Sequence, residues 1–438
     1  MSLEQRPTRW YDNRDTMTAN EASFRIEGGV PLRGDIAVQG GKNAALKLIA
    51  ATLLTPERCV LSNVPDIEDV RSMLRIVEAM GALVERDGST IAITAHTVDP
   101  ALLPAEEAKK VRASVVLAGP LVARFGTVTL PYPGGDNIGN RSVGTHLDAF
   151  ASVGCSIERG EDSFTITRGD SPLPDKVILN EFSVTATENM VMFASAQETP
   201  LDIILAAEEP HIQNLLEMVG AMGATAELLP RNVIRIRGKK DLGGAAITVR
   251  SDYIEAGTLV AMALAVGGEV RITNCPVADM AAILHLVERA GASIQYESDD
   301  VIVVSGPQSM RLGRIQTMIY PGFPTDLQAP FGVLATQCEG TTLIHDPLFE
   351  GRLQYLKGLE KMGATVRILD PHRAEVDGPT PLSGAELMGE DIRGAMSFII
   401  AGMAATGTTI LHNAYQADRG YERIEQRLSA LGARIERI

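Results

Sequence analysis

A glycine in a small-residue turn recurs six times along the chain, and this repeat constrains the fold more than any other feature. Each glycine follows a stretch with helical spacing of apolar residues, as in 280–289, and precedes a short alternating strand, as in 435–438. Glycine is favoured just after a helix because the chain leaves the helix with positive φ. Six copies of one α/β unit are therefore predicted. The glycines, about 70 residues apart, are Gly81, Gly154, Gly223, Gly291, Gly363 and Gly432.

The length of these units indicates how they pack. Solenoid repeats run from about 20 to 47 residues, whereas each unit here is long enough for several strands and about two helices. Six such units in 438 residues exceed the size at which a single hydrophobic core stops growing. Two similar α/β domains of three units each are predicted, in preference to a solenoid or one ordinary α/β domain.

Composition excludes several classes of protein. The chain has 40 Lys and Arg against 55 Asp and Glu, a formal net charge of −15, with a pI near 5.0. This balance argues against a nucleic-acid binder, so an anionic ligand needs a local cluster of positive side chains. No apolar run approaches the roughly 18 residues of a membrane span. Four widely spaced cysteines predict reduced thiols and a cytoplasmic protein.

Nucleotide and metal motifs are weak. Lys42 follows two glycines, but the upstream glycine of a P-loop is missing and Asn43 replaces the magnesium-binding Ser or Thr. No GxGxxG follows a strand. The seven histidines have no metal-ligand spacing. No metal site is expected, and His146 and His211 are interpreted as structural residues.

What remains is a set of charged residues in turns or beside Gly, Ala and Pro. Any one of them alone is typical of a solvated surface charge. Together, Arg and Lys beside small residues can approach a phosphate or carboxylate closely, which indicates a polyanionic substrate. The set is Lys42, Arg112, Asp136, Arg141, Asp326, Arg352, Arg393 and Arg419.

Five segments carry a resemblance to a known family. They are GGKNAAL at 40–46, LVARFG at 121–126, FPTD at 323–326, DIR at 391–393 and DRGYERIE at 418–425. From residue 24 to 438 the chain resembles the UDP-N-acetylglucosamine 1-carboxyvinyltransferases, the enolpyruvyl transferases that open peptidoglycan synthesis. The sibling family that acts on shikimate 3-phosphate has Ser-Lys-Ser where this chain has Gly41, Lys42 and Asn43, which favours the nucleotide-sugar acceptor.

The resemblance implies a two-domain inside-out α/β barrel, or inverse α/β prism, built from six βαβαββ units. Helices would lie inside and sheets would face solvent. The first domain would comprise residues 23–42 and 251–438, and the second residues 43–250 with a lid loop at 132–142. Residues 1–22, which lack a helical or strand period, are interpreted as a disordered leader. The active site would lie in the cleft between the domains.

The resemblance also implies the reaction. The enolpyruvyl group of phosphoenolpyruvate would move to the 3′-hydroxyl of UDP-N-acetylglucosamine by addition and elimination, with release of phosphate. These two small molecules are the expected partners. Neither a metal nor another cofactor would be needed, and nothing in the sequence indicates an oligomeric state.

Site residues are carried over by the matching segments. Asp326 would be the base at the 3′-hydroxyl, and Asp391 would assist proton transfer at the methyl carbon. Lys42 would bind phosphoenolpyruvate and take part in catalysis, and Asn43 would contact the sugar. Arg141 would bridge the two anionic ligands. The carboxylate and phosphate of phosphoenolpyruvate would be held by Arg352, Arg393 and Arg419. The UDP side would be bound by Arg112, Ser142, Val143, Gly144, Thr145, Ser183, Val184, Thr185 and Leu348.

Two positions depart from the usual family pattern. Asp136 stands in the lid where most members have the cysteine that fosfomycin alkylates. A carboxylic acid can also donate a proton, so we expect an active, fosfomycin-resistant enzyme with Asp136 as the acid, and Lys42 is the alternative proton donor. Glu181 stands where many relatives have a lysine near the diphosphate.

Two alternatives stay open at this stage. One is an enolpyruvyl transferase with another acceptor, such as shikimate 3-phosphate. The other is a non-catalytic paralogue that binds nucleotide-sugar. Retention of Lys42, Asp326, Arg393 and Arg419 together argues against the paralogue, because a pure binder needs no base. A phosphate-release assay with each acceptor separates the three.

Overall fold

Short strands and buried helices alternate along the chain. The computed structural model describes residues 22–134, 142–306 and 309–438. Its strands are β1 (Phe24–Glu27), β2 (Leu32–Ala37), β3 (Arg58–Ser62), β4 (Leu83–Asp87), β5 (Thr90–Thr94), β6 (Thr127–Pro131), β7 (Ser156–Arg159), β8 (Ser163–Thr167), β9 (Lys176–Ile178), β10 (Leu201–Ile204), β11 (Thr225–Leu229), β12 (Val233–Arg237), β13 (Ala246–Thr248), β14 (Gly268–Thr273), β15 (Ser293–Ser298), β16 (Val301–Ser305), β17 (Arg314–Gln316), β18 (Gly340–His345), β19 (Thr365–Asp370), β20 (Arg373–Gly378), β21 (Glu386–Met388), β22 (Thr408–His412) and β23 (Arg434–Arg437).

The α-helices are α1 (Lys42–Ala51), α2 (Glu68–Ala79), α3 (Ala105–Lys110), α4 (Ala118–Phe125), α5 (Gly144–Ser152), α6 (Val184–Ser195), α7 (Pro210–Ala221), α8 (Tyr253–Val266), α9 (Ala281–Arg289), α10 (Gln328–Gln337), α11 (Leu356–Lys361), α12 (Ile392–Ala404), α13 (Tyr415–Asp418) and α14 (Ile424–Ala430). Short 3₁₀ helices span Thr52–Leu54, Pro100–Leu102, Arg112–Leu117, Val277–Met280 and Thr325–Leu327.

The strands form small mixed sheets, one per repeat. Five sheets have four strands, in the orders β21-β22-β1-β23, β11-β12-β10-β9, β13-β3-β5-β4, β15-β16-β14-β2 and β17-β18-β20-β19. In each of these, one edge strand pairs in parallel, as β2 does with β14, and the other pairs are antiparallel. Within the described residues the sixth sheet has three strands, β6-β8-β7. There a 3₁₀ helix, Arg112–Leu117, precedes α4 where the other units have a strand.

Helices fill the interior and sheets form the outer surface. Helix α8 buries every residue from Tyr253 to Ala265, and apolar residues surround its axis on all sides. A helix of that kind must be enclosed by protein. Strands such as β12 and β18 instead alternate in exposure, because one face meets the helices and the other meets solvent. The predicted inside-out α/β fold is confirmed.

Buried apolar residues form two separate cores. One is built from residues 44–249 around α1, α4 and α6, and the other from residues 24–38 and 253–435 around α8, α10 and α12. Two segments that connect the cores contact each other. Gly41 N donates to Arg250 O at 2.7 Å, and Lys42 N donates to Asp252 Oδ2 at 3.2 Å. Gly40 is required here because a Cβ would lie 1.8 Å from the carbonyl oxygen of Asn63.

The six repeat glycines confirm the predicted helix-ending turn. All have positive φ, between 89° and 108°. After α9, Gly291 N donates to Glu288 O at 3.0 Å and Ala292 N donates to Val287 O at 2.9 Å. These bonds satisfy carbonyls that the end of a helix leaves free. The sequence repeat is therefore a repeat of helix ends.

Candidate active site

Most of the candidate residues lie where core helices begin. Lys42 is the first residue of α1, and Ser183, Asp252 and Asp391 are the N-caps of α6, α8 and α12. Asp326 lies in the 3₁₀ turn that leads into α10. Free backbone N–H groups and the helix dipole make such ends partly positive, so they attract anions.

Asp326 is held between two arginines. Its Oδ1 accepts from Arg352 Nη2 at 2.7 Å, and its Oδ2 accepts from Arg393 Nη2 at 3.0 Å. Burial works against ionisation of this carboxyl, but the positive charges of Arg393, Arg352 and Lys42 outweigh it and hold the pKa of Asp326 well below its usual range. Asp326 is therefore a carboxylate, and it shares its arginines with any anion that enters.

A buried hydrogen-bond chain fixes Arg393. Arg393 Nη1 donates to the hydroxyl of Tyr421 at 2.8 Å, and that hydroxyl lies 3.2 Å from Thr258 Oγ1 on α8. The guanidinium carbon also lies 5.5 Å from the centre of the Tyr421 ring. Since Tyr421 is 1% exposed, the fork of Arg393 is oriented before any ligand binds.

Asp69 joins the two cores at a second pair of cations. Its Oδ2 lies 3.3 Å from Lys42 Nζ, and its Oδ1 accepts from Arg419 Nε at 3.0 Å. Asp69 lies in the first turn of α2 in one core, whereas Arg419 belongs to the other. Nearby, the backbone N–H of Asp66 donates to Glu422 Oε2 at 2.8 Å. These bonds bring Lys42 and Arg419 to one place.

Asp391 caps α12. Its Oδ1 accepts from Arg393 N at 2.9 Å and from Gly394 N at 3.0 Å. Asp391 and Arg352 also line a cavity of about 400 Å³ with Tyr355. The side chain thus has a structural contact that the sequence did not indicate, beside the catalytic role expected for it.

The residues expected on the UDP side lie at two further helix starts. Ser142 Oγ accepts from Gly144 N at 2.9 Å, and Ser183 Oγ accepts from Ala186 N at 3.3 Å at the start of α6. Thr145 Oγ1 donates to Glu181 Oε1 at 2.8 Å. Glu181, the second departure from the family pattern, therefore connects the first turn of α5 with the segment that precedes α6.

The buried side chain of His146 contacts two neighbouring side chains, as expected for a structural residue. Its Nε2 lies 3.0 Å from Thr185 Oγ1, and its Nδ1 lies 2.9 Å from Asn189 Nδ2. Burial and the positive charge of Arg112 lower the pKa of His146 to about 3, so the ring is neutral at pH 7.

The remaining candidates are described by the element in which each one lies or by its exposure. Val143 is the N-cap of α5 and Val184 the first residue of α6, and Asn43 follows Lys42 on α1. Arg112 begins the 3₁₀ helix before α4. Leu348 is 38% exposed. Two candidates, Asp136 and Arg141, lie outside the described residues, as does most of the predicted lid at 132–142.

Two groups of buried charges were missed by the sequence interpretation. Asp69 gave no signal because it contacts Arg419 across 350 positions. The other group is Lys47, Glu188 and His211, on α1, α6 and α7, with Lys47 Nζ 3.7 Å from Glu188 Oε2. A lysine in the apolar run of α1 was the one available signal for it, since lysine is rarely buried without a partner.

Within residues 22–134, 142–306 and 309–438, no group of three or more His, Cys, Asp or Glu side chains is arranged to hold a metal ion. The described helices include none that is long and apolar enough to span a membrane.

Comparison with known proteins agrees with this fold. Residues 26–428 match the family of EPSP synthase, 3-phosphoshikimate 1-carboxyvinyltransferase. Among solved structures, the enolpyruvyl transferase NikO from Streptomyces tendae has a TM-score of 0.86 at 24% identity, covering 95% of this chain and 99% of that one. EPSP synthase from Acinetobacter baumannii has a TM-score of 0.73 at 19% identity, covering 95% and 100%. Fold and site together define a carboxyvinyltransferase, also called an enolpyruvyl transferase.

Curated relatives show which family of carboxyvinyltransferases includes this chain. The UDP-N-acetylglucosamine 1-carboxyvinyltransferase of Treponema pallidum is 41% identical over 94% of this chain and 98% of its own length. The enzyme of the same name from Bradyrhizobium diazoefficiens is 39% identical over 95% and 98%. The chain belongs to the UDP-N-acetylglucosamine 1-carboxyvinyltransferase family, and it is a transferase.

Proposed function

We propose that the protein transfers the enolpyruvyl group of phosphoenolpyruvate to the 3′-hydroxyl of UDP-N-acetylglucosamine and releases phosphate, the first committed step of peptidoglycan synthesis. The observation that supports this most is that four cationic side chains surround two carboxylates, Asp69 and Asp326, which lie near the starts of helices. The chain also belongs to the family whose members carry the name UDP-N-acetylglucosamine 1-carboxyvinyltransferase. Lys42 and Arg419 contact Asp69, and Arg352 and Arg393 contact Asp326. The excess of positive charge suits a small polyanion within an acidic protein.

The reaction is an addition followed by an elimination. Asp326 accepts the proton of the sugar hydroxyl while that oxygen bonds to C2 of phosphoenolpyruvate and an acid protonates the C3 methylene. The bond from C2 to the phosphate oxygen then breaks, and the new methyl group loses a proton. Charge develops at C2 and on its phosphate, so the fixed arginines and Lys42 stabilise both transition states.

The contacts of Asp326 suggest how the base is activated. Before phosphoenolpyruvate binds, Arg352 and Arg393 hold Asp326 as a weak base. The carboxylate and phosphate of phosphoenolpyruvate compete for the same guanidinium groups. Neutralising those groups raises the pKa of Asp326, so the carboxylate becomes a better proton acceptor when the donor substrate is in place.

The other roles follow the same chemistry. Lys42 and Arg419 bind the donor phosphate, Arg141 bridges the two ligands, and Asn43 contacts the sugar. Asp136 protonates C3, and Asp391 assists at the methyl carbon. The UDP portion is bound by Arg112, Ser142, Val143, Gly144, Thr145, Ser183, Val184, Thr185 and Leu348. Neither a metal nor an organic cofactor enters these steps.

A phosphate-release assay tests the proposal. Phosphate should appear with phosphoenolpyruvate and UDP-N-acetylglucosamine together, and not with phosphoenolpyruvate and shikimate 3-phosphate. Phosphate release from phosphoenolpyruvate with shikimate 3-phosphate, and not with UDP-N-acetylglucosamine, would identify shikimate 3-phosphate as the acceptor. Binding of UDP-N-acetylglucosamine without release of phosphate would identify a non-catalytic paralogue.

A further inference from the structure

A cluster of ionisable side chains is buried under the candidate site. Lys47, Glu188 and His211 are each less than a tenth exposed. Lys47 Nζ lies 3.7 Å from Glu188 Oε2, and His211 Nε2 lies 3.8 Å from Glu188 Oε1. Glu209, the N-cap of α7, lies two residues before His211 in the chain. The cluster therefore lies at or near the first turns of α1, α6 and α7.

Several polar atoms of this cluster have no hydrogen-bond partner among the described residues. They are both carboxylate oxygens of Glu188, Nε2 of His211 and Oε2 of Glu209, all buried. Buried ion pairs are expensive to desolvate, and apolar side chains of similar volume usually stabilise a fold as well or better. Stability alone thus gives no reason for a carboxyl group that lies between an ammonium group and an imidazole, with a second carboxyl group within electrostatic reach of the ammonium group.

The cluster interacts electrostatically with the active-site charges. Lys42 and Asp69 act on Lys47 from the cleft side. Asp326 acts on His211. Glu209 is influenced by Glu208 and Lys47, and it acts in turn on Tyr253 of α8 in the other core. An anion that binds in the cleft therefore changes the electrostatic potential at the cluster.

We propose that Glu188 and Glu209, held with Lys47 and His211, form a buried proton-binding site that takes up a proton from solvent when an anion binds in the cleft. The proton adds to a carboxylate oxygen, and no other bond changes. A negative ligand stabilises the protonated form of a nearby carboxyl. The inference rests on the proposed function only in that both proposed substrates are anions.

Burial supports this assignment. It raises the pKa of Glu188 to about 8 and of Glu209 to about 7. Burial also lowers the pKa of His211 to about 3, so this ring is neutral and stays so. Asp326 has a pKa far too low to take up a proton at neutral pH. Burial lowers the pKa of Lys47 as well. Glu188 and Glu209 are the carboxyl groups of this cluster whose pKa values burial raises, so a negative ligand favours their protonated form.

Uptake of a proton has a use in the reaction. Two ionised glutamates under Lys42 would repel the phosphate and carboxylate that the cations attract. Protonation removes part of that repulsion when the ligands arrive, and it leaves Lys42 and the arginines to balance the ligand charge. Glu188 and Glu209 are therefore positioning residues: they act through the charge balance of the site and do not contact the reacting atoms.

Calorimetry in buffers of different ionisation enthalpy measures the uptake. Wild-type protein at pH 7.5 is titrated with UDP-N-acetylglucosamine and, separately, with sulfate, because neither ligand exchanges protons at this pH. We expect net uptake of a fraction of a proton per site with either ligand, because a partly ionised carboxyl binds more protons when a nearby anion raises its pKa. The Glu188→Gln/Glu209→Gln variant should lose most of it.

Two controls match this variant. Asp202→Asn/Asp377→Asn makes the same change in net charge on outer sheet faces, where arginines keep both carboxylates ionised, so it should retain the uptake. Asp136→Asn should also retain it, which excludes the lid as the source of the titration.

The outcomes separate this inference from the proposed function. Binding of UDP-N-acetylglucosamine without uptake, or full uptake by the double glutamine variant, overturns the inference alone. Sulfate-linked uptake without binding of UDP-N-acetylglucosamine supports the inference and contradicts the function. Failure of both ligands to bind contradicts both. If the variant does not fold, wild-type protein decides: uptake must be larger at pH 7.5 than at pH 5, where glutamates with raised pKa values are already protonated, and uptake that is no smaller at pH 5 overturns the inference.

Discussion

At the scale of single residues, Asp326 is the carboxylate on which the proposed chemistry depends. We expect Asp326→Asn to lower turnover by ~10²–10⁴, the usual contribution of a positioned base. Binding of UDP-N-acetylglucosamine should change little, because the amide keeps the shape of the side chain. Steady-state phosphate release and titration calorimetry measure the two effects.

The matched control is Asp377→Asn on β20. Asp377 also lies against an arginine, Arg367, but on an exposed sheet face. This variant should retain wild-type turnover. Near-normal turnover of Asp326→Asn, with binding intact, would remove Asp326 from the mechanism.

Asp136 supports a second prediction at this scale. A thiolate attacks an epoxide readily, whereas a carboxylate is a far weaker nucleophile. We therefore expect the protein to resist fosfomycin while active. Asp136→Cys should stay active and be inactivated with time, with one covalent adduct by intact mass spectrometry. Stoichiometric alkylation of the wild-type lid, or full turnover of Asp136→Ala, would show that Asp136 is not the acid.

At the scale of elements, Asp391 has two roles that one pair of variants separates. Its Oδ1 caps α12, and an asparagine can accept the same backbone bonds. Asp391→Ala should cost about 1 kcal/mol of stability and reduce activity. Asp391→Asn should keep the melting temperature, so any loss of turnover reports the charge alone. Wild-type turnover of Asp391→Asn would confine Asp391 to the cap.

The secondary-structure elements also show which parts of the fold and of the site could be predicted from the sequence. The repeat glycines predicted helix ends because positive φ is a local requirement, and each was found there. The 3₁₀ helix Arg112–Leu117, in place of a first strand, was not predicted because the packing of its unit decides between the two. Lys42, Asp326 and Arg393 were identified by recognisable segments. Asp69 was not, because its importance comes only from the meeting of two cores.

At the scale of the whole molecule, the cations of the site come from both cores. Lys42 contacts Asp69 in one core, and Asp69 contacts Arg419 in the other. A small anion that contacts all of them favours the arrangement in which the two cores meet over any more open arrangement. We expect UDP-N-acetylglucosamine to decrease the radius of gyration in small-angle scattering, and phosphoenolpyruvate to decrease it further. Superimposable curves with and without ligands would contradict this closure.

The buried charges also make stability depend on pH. Burial raises the pKa of Glu209 from 4.5 to about 7, so the folded state binds more protons than the unfolded state between those values. The stabilising contribution of Glu209 is complete below pH 4.5 and is lost as pH rises through 7. His146 and His211, with pKa values lowered by burial to about 3, act oppositely: their contribution is present above pH 6.5 and is lost as pH falls toward 3.

A single substitution separates these opposing effects. Glu209→Gln removes the titrating carboxyl, and no side-chain cap bond of α7 is lost with it. In urea unfolding, the stability of Glu209→Gln relative to wild type should increase as pH rises from 5 to 8, by about 2–3 kcal/mol at most. Asp202→Asn, whose carboxylate is already ionised across this range because Arg235 lowers its pKa, should show a constant difference from wild type. A constant difference for Glu209→Gln as well would mean that this carboxyl is ionised in the folded protein, and the buried proton-binding site would then lose one of its two glutamates.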